Sequence, residues 1–377
     1  MQNRLRNVTR AGVVTLALAA AVPMSAPAAA DQINKVRLLG EQTIPFDLNY
    51  QGTVVGGLSS IDFRPGAGDF VMISDDRSDK NPARFYTARI PVSDKGLGAV
   101  ELTGTQPFRQ PDGTTYAPKS VDPEELRVDP QSGNFYWTQE GERTATVRQD
   151  PSVRVAKTDG AFVSELPIPA NEKMLEDSGP RQNQALEAAT FAANGTQFVT
   201  ALEGPLLEDG PEATATQGAT TRITVQEKGG KLLGQHAYQL EPIFATSPTG
   251  GFATTGVVSI LELPSGNGMS TGSAAPGDKR FLVVERSFVT GVGNKVRIYE
   301  INLAGASNIL DKPIAGAKPV HKKLVADLAD FKLSTVDNIE GITWGPNLPS
   351  GERTLLLVSD NNFTSTQVTQ VVALAVS

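Results

Sequence analysis

Five stretches of the chain repeat one arrangement, and that repetition constrains the fold more than any other feature. Each opens on an acid or serine, alternates apolar residues, turns, and returns as a more continuously apolar run closed by an acid. The pairs are Ser59–Phe63 with Phe70–Asp75, Glu124–Val128 with Phe135–Glu140, and Glu187–Phe191 with Phe198–Glu203. The last two are Ser259–Leu263 with Phe281–Glu285, and Glu340–Trp344 with Leu355–Asp360. A period of two marks a strand with two different faces, whereas a short continuous apolar run fits a strand buried on both. Further strand-like runs follow each pair, at 83–92, 153–168, 221–240, 295–305 and 366–376.

A unit of an inner strand, a buried second strand and two outer strands cannot bury its faces alone. It does so by stacking radially around a channel. The chain is therefore expected to be all-β, a β-propeller with inserted loops, since its units exceed the roughly 40–50 residues of simple propeller repeats. Five blades are visible, and residues 33–55 with the final strand 367–376 are expected to supply or close a sixth. An array of β-sandwiches is the alternative. It gives no reason for every copy to place a polar or acidic group at the same strand end.

Residues 1–30 read differently. Arg4, Arg6 and Arg10 precede the apolar run 11–22, and Ala28-Ala29-Ala30 stands before Asp31. That is the pattern of a bacterial secretory signal peptide, too short in its apolar part to span a bilayer comfortably. The expected mature chain, 31–377, is a single domain, periplasmic or secreted, with no membrane span. The formal charge is −7 and the leader carries only arginines, so the mature chain is more acidic still. Nucleic acid is an unsuitable partner for it and cations are suitable ones. Cys is 0 and His is 2, which excludes zinc held by thiolates and argues against a histidine-rich metal site.

Glu124, Glu187 and Glu340 each open an inner strand on its apolar face. In a propeller they converge at one channel mouth. Clustered carboxylates repel, and burying them unpaired is costly, so they call for arginines or a metal. The acids closing the second strands, Asp75, Glu140, Glu203, Glu285 and Asp360, form a second candidate layer of ligands. An all-oxygen set suits a hard ion, Ca²⁺ before Mg²⁺. Arg77, Arg143 and Arg286 are the candidates for gripping an anion, or for pairing with these acids. The segment 169–190 is read as a crossover with one helical turn at Lys173–Asp177. The motif Gly268-Met269-Ser270-Thr271-Gly272 matches a serine-nucleophile elbow only by letter, because no helical pattern follows it.

The stretches 74–86, 120–143, 183–206, 280–288 and 337–363 resemble the phytase-like family, also described by esterase-like activity of phytase. The resemblance implies an exported bacterial propeller, and its name implies hydrolysis of phosphate or other esters. The departures are Ser59 and Ser259, where other copies carry Glu. The expected function is a Ca²⁺-dependent hydrolase acting at the acidic mouth on a small-molecule phosphoester or ester. In it Glu340 or Glu187 is the base, and Arg77 and Arg286 orient substrate. The protein is expected to be monomeric. A non-catalytic envelope propeller that binds a ligand or protein is the alternative.

Overall fold

The computed structural model describes residues 33–263 and 279–377. Five four-stranded antiparallel sheets form five blades. Blade 1 is Ser60–Arg64, Asp69–Ile73, Arg84–Arg89 and Glu101–Pro107. Blade 2 is Pro123–Val128, Phe135–Gln139, Ser152–Ala156 and Phe162–Leu166. Blade 3 is Leu186–Ala192, Gln197–Leu202, Thr220–Glu227 and Leu232–Gln239. Blade 4 is Ala253–Glu262, Arg280–Val289, Gly293–Asn302 and His321–Asp327. Blade 5 is Asn338–Trp344, Arg353–Asp360 and Thr369–Val376, completed from the other end of the chain by Val36–Ile44.

This last pairing corrects the expected sixth blade. Val36–Ile44 pairs with Thr369–Val376 along its length and becomes the outer strand of blade 5. The N-terminal segment therefore closes the ring rather than adding to it. Among the described residues the only helical elements are three short 3₁₀ turns. None is long and apolar enough to cross a membrane.

The core consists of five apolar clusters, one in each gap between neighbouring blades. Blade 5 explains the continuous apolar runs. Leu355, Leu357, Val372 and Leu374 pack toward blade 4. Leu356, Val358, Val371 and Ala373 pack toward blade 1. A strand with both faces buried must be apolar at every position.

The axis is plugged by one side chain. Arg127 is 2% exposed. Its guanidinium donates to the carbonyls of Ala189 (2.7 Å), Ile342 (2.8 Å), Ile260 (3.2 Å) and Ile61 (3.4 Å). It also pairs with Glu125 at 3.0 Å. One arginine thus touches all five blades and gives the mouth above it a floor.

Candidate functional site: an acidic channel mouth

A local irregularity aims the mouth carboxylates. The inner strands of blades 2, 3 and 5 shift register between Pro123 and Leu126, between Leu186 and Ala188, and between Ile339 and Gly341. A β-bulge leaves its extra residue outside the ladder and re-aims the side chain. The bulged residues include Glu124, Glu187 and Glu340. Blade 4 has the same bulge between Val257 and Ser259, so Val258 stands at the glutamate position. Ser259 lies one residue deeper and donates to Glu125 at 2.7 Å beside the Arg127 plug. Ser59, in blade 1, donates to the carbonyl of Glu124 at 2.6 Å.

Cross-strand register settles which of the closing residues share the mouth. The N–H groups of Asp75, Glu140 and Glu203 bond the carbonyls of Gly57, Asp122 and Ala185, and Asp360 pairs with Asn338. In blade 4 the residue at this level is Arg286, opposite Gly256. Glu285 is the neighbour, and one step along a strand reverses the side chain. Glu285 accordingly leaves the expected ligand set. It accepts from Tyr238 at 2.5 Å and pairs with Lys322, which also holds Glu241.

The other expected acids come together. One carboxylate oxygen each from Asp122, Glu124 and Glu140 lie within 4.8 Å of one another, and so do those of Glu140, Glu187 and Glu203. Glu340 lies on the side of blades 4 and 5. Arg286 bridges it to Glu203, at 3.3 Å to each. Asn338 donates to Glu340 at 2.9 Å and lies 3.5 Å from Asp360. Arg77 sits on the opposite side, 3.3 Å from both Asp122 and Glu142. Asp75 Oδ1 is buried against Gly57, whose φ of +61° and missing Cβ make room for it; a Cβ would fall 1.8 Å away. Gly256 makes the equivalent room for Glu203.

The electrostatics follow from the count of charges. The carboxylates outnumber the two guanidiniums that reach them. Burial first, and neighbouring carboxylates second, push Glu124, Glu140, Glu187, Asp75 and Asp360 well above the usual carboxylate range or upward from it. Glu340 is raised to about 7 by burial, opposed by Arg286, and Asp122 to about 6 by burial, opposed by Arg77. Glu140 is 1% exposed and belongs to both trios. Its Oε1 accepts from the Ala185 N–H at 2.7 Å, while its Oε2 is buried with no partner. An unpartnered carboxyl oxygen shared by two acidic trios fits a hard cation, and these clusters are able to bind a metal.

Arg143, an expected anion-gripping residue, has another duty. Arg143 donates to the carbonyls of Leu175 (2.7 Å), Ser178 (2.6 Å) and Pro180 (2.6 Å), pinning the crossover. The helical turn there lies at Ala170–Glu172, ahead of the expected 173–177. Asp76, the acid that follows Asp75, pairs with the buried Arg84 at 2.7 Å and caps the turn at Asp79–Asn81. The signal-peptide reading and the Gly268–Gly272 motif lie outside the described residues. Asp122 was not singled out by the repeat. Its signal was the acid-rich run Asp122-Pro123-Glu124-Glu125, unlike any other strand head.

Fold and site together define a five-bladed β-propeller with an acidic mouth floored by Arg127. The chain belongs to the Phytase-like family, described as "Esterase-like activity of phytase", which matches residues 53–363. No curated protein matches it. Among solved structures it is similar to the periplasmic gluconolactonase of Pseudomonas aeruginosa, at 12% identity and TM-score 0.34, covering 84% of this chain and 85% of that one. It is also similar to an alpha-L-arabinofuranosidase from Lactobacillus brevis, at 11% identity and TM-score 0.45, covering 84% and 90%. A third is the soluble aldose sugar dehydrogenase of Escherichia coli, at 10% identity and TM-score 0.38, covering 91% and 99%. Likenesses this distant carry no argument about the site.

Proposed function

We propose that the chain is an exported, Ca²⁺-dependent hydrolase of phosphate or other esters, working at the acidic mouth. The observation that carries this reading is Glu140, buried and shared by two carboxylate trios, with one oxygen unpartnered. Asp122, Glu124 and Glu140 would hold one ion, and Glu140, Glu187 and Glu203 a second. A bound hard ion supplies Lewis acidity and lowers the pKa of water. The family's description supports ester hydrolysis, and the basic, apolar, small-residue pattern of residues 1–30 supports export.

The remaining roles fall to the chain's own side chains. Arg286 and Arg77 flank the carboxylates and would hold the anionic end of a substrate by charge-assisted bonds. Glu340, raised to about 7, can take a proton near neutral pH, where a general base works best. Arg286 sets its orientation from 3.3 Å, and Asn338 from 2.9 Å.

One observation favours a binding propeller without turnover: both arginines are already engaged by acids, Arg77 with Asp122 and Glu142, Arg286 with Glu203 and Glu340. A screen of phosphoesters and carboxylesters with and without chelator, with Glu340→Gln alongside, separates the readings. Chelator-sensitive turnover lost in Glu340→Gln supports the hydrolase. Turnover indifferent to chelator, or none on any ester, contradicts it.

A further inference from the structure

The second strand of blade 4 runs unbroken past the level of the mouth. The second strands of blades 1, 2, 3 and 5 end at Ile73, Gln139, Leu202 and Asp360, at or just before the acid that faces the mouth. The second strand of blade 4 continues past Arg286 to Val289, paired all the way with Ala253–Thr255. Alternation puts Phe288 on the face of Arg286, about 7 Å farther out. Phe288 is half-buried and pairs with Thr254 on one side and Asn294 on the other. Just ahead of the inner strand, Phe252 is 68% exposed, its ring 6.3 Å from that of Phe288 at 33°. Val292, at the hairpin tip, is 49% exposed. The opposite face is closed, with Ser287 buried and donating to the Thr254 carbonyl at 2.9 Å. The exposed ring of Phe252 adds nothing to the core, and with the half-buried Phe288 it continues the arginine side of the mouth outward.

We propose that the Phe288–Phe252 wall is a specificity subsite for an apolar, preferably aromatic, group on an anionic ester whose charged end lies against Arg286. The proposal rests on the mouth reading for that charged end. Aromatic rings pack in offset or tilted pairs, and the tilted Phe pair offers an edge and a face to such a group. The wall itself carries no cation. Phe252, Thr254, Phe288 and Asn294 are neutral, and Asn294 lies 3.5 Å from Asp337, which would repel additional phosphates. The wall therefore selects an ester with one anionic end over a polyphosphorylated polyol.

The test compares phenyl phosphate with glycerol phosphate on the Ca²⁺-loaded full chain, by kcat/KM and, independently of turnover, by calorimetric Kd. The expected preference for phenyl phosphate is roughly tenfold, the order that ring pairing supplies. Phe252→Ala and Phe288→Ala should each reduce it while leaving glycerol phosphate unchanged. Phe252 is exposed enough for its replacement to leave the fold intact. Binding of phenyl phosphate that depends on Phe252, without turnover of either ester, would keep the wall and remove the hydrolase. Equal constants for the two esters, or a preference that survives both replacements, would overturn the wall alone. Failure of both esters to bind would overturn both. A dimer that Phe252→Ala dissociates, with ester preference unchanged, would assign the wall to self-association and overturn the proposal.

Discussion

Arg127 Nη1 donates to the main-chain carbonyl of Ile342 at 2.8 Å, joining inner strands of blades 2 and 5 that are 215 positions apart. The same guanidinium holds carbonyls of blades 1, 3 and 4, with Glu125 as its counter-ion. Removing one partner of a buried pair leaves an uncompensated charge, typically at about 3–5 kcal/mol. Arg127→Met should therefore lower unfolding stability by about that amount in denaturant titrations. Adding Glu125→Gln should recover part of the loss. A change in stability inside experimental error would show that the plug is not a structural hub.

Arg286 and Glu285 are adjacent in sequence and face opposite ways, so their replacements should separate. Arg286→Gln leaves Glu203 and Glu340 without their bridge. Ester hydrolysis should fall by roughly 10²–10³, the usual cost of losing a donor aimed at developing charge. Glu285→Gln sits with Tyr238 and Lys322 away from the mouth and should leave kcat/KM unchanged. Steady-state kinetics of both variants on one ester checks this, and equal losses would contradict the register assignment.

Much of this arrangement is legible in the sequence, and the failures have physical causes. The repeated apolar runs reveal blades because buried second strands must be apolar on both faces. The blade number fails because Val36–Ile44 reads as a strand but carries no mark of its partner, which lies at the far end of the chain. Glu285 misleads because an acid and an arginine stand side by side and only the hydrogen-bond register says which faces the axis. Ser259 misleads for the same reason, since a bulge shifts the equivalence to Val258. The plug is marked in sequence by an arginine between Leu126 and Val128, but its partners are main-chain carbonyls, which no side-chain pattern identifies.

Stability without metal should depend on pH in an unusual sense for acids. Glu340 is raised to about 7 and Asp122 to about 6 by burial, so the folded state holds protons that the unfolded chain has released. Stability then falls as pH rises from the ordinary carboxylate range through 7. In chelator, Tm should be higher at pH 5 than at pH 8, and saturating Ca²⁺ should raise Tm most at pH 8. A chelated protein that gains stability between pH 5 and pH 8 would contradict the buried-carboxylate description.

The most direct measurement is a calorimetric Ca²⁺ titration of chelator-stripped protein, with Glu140→Gln beside it. Glu140 belongs to both trios. Wild type should take up two ions, and Glu140→Gln should weaken both by at least the roughly 10–100-fold that loss of an outer-shell partner costs a metal site. No binding to wild type, or uptake unaffected by Glu140→Gln, would contradict the cation-holding mouth.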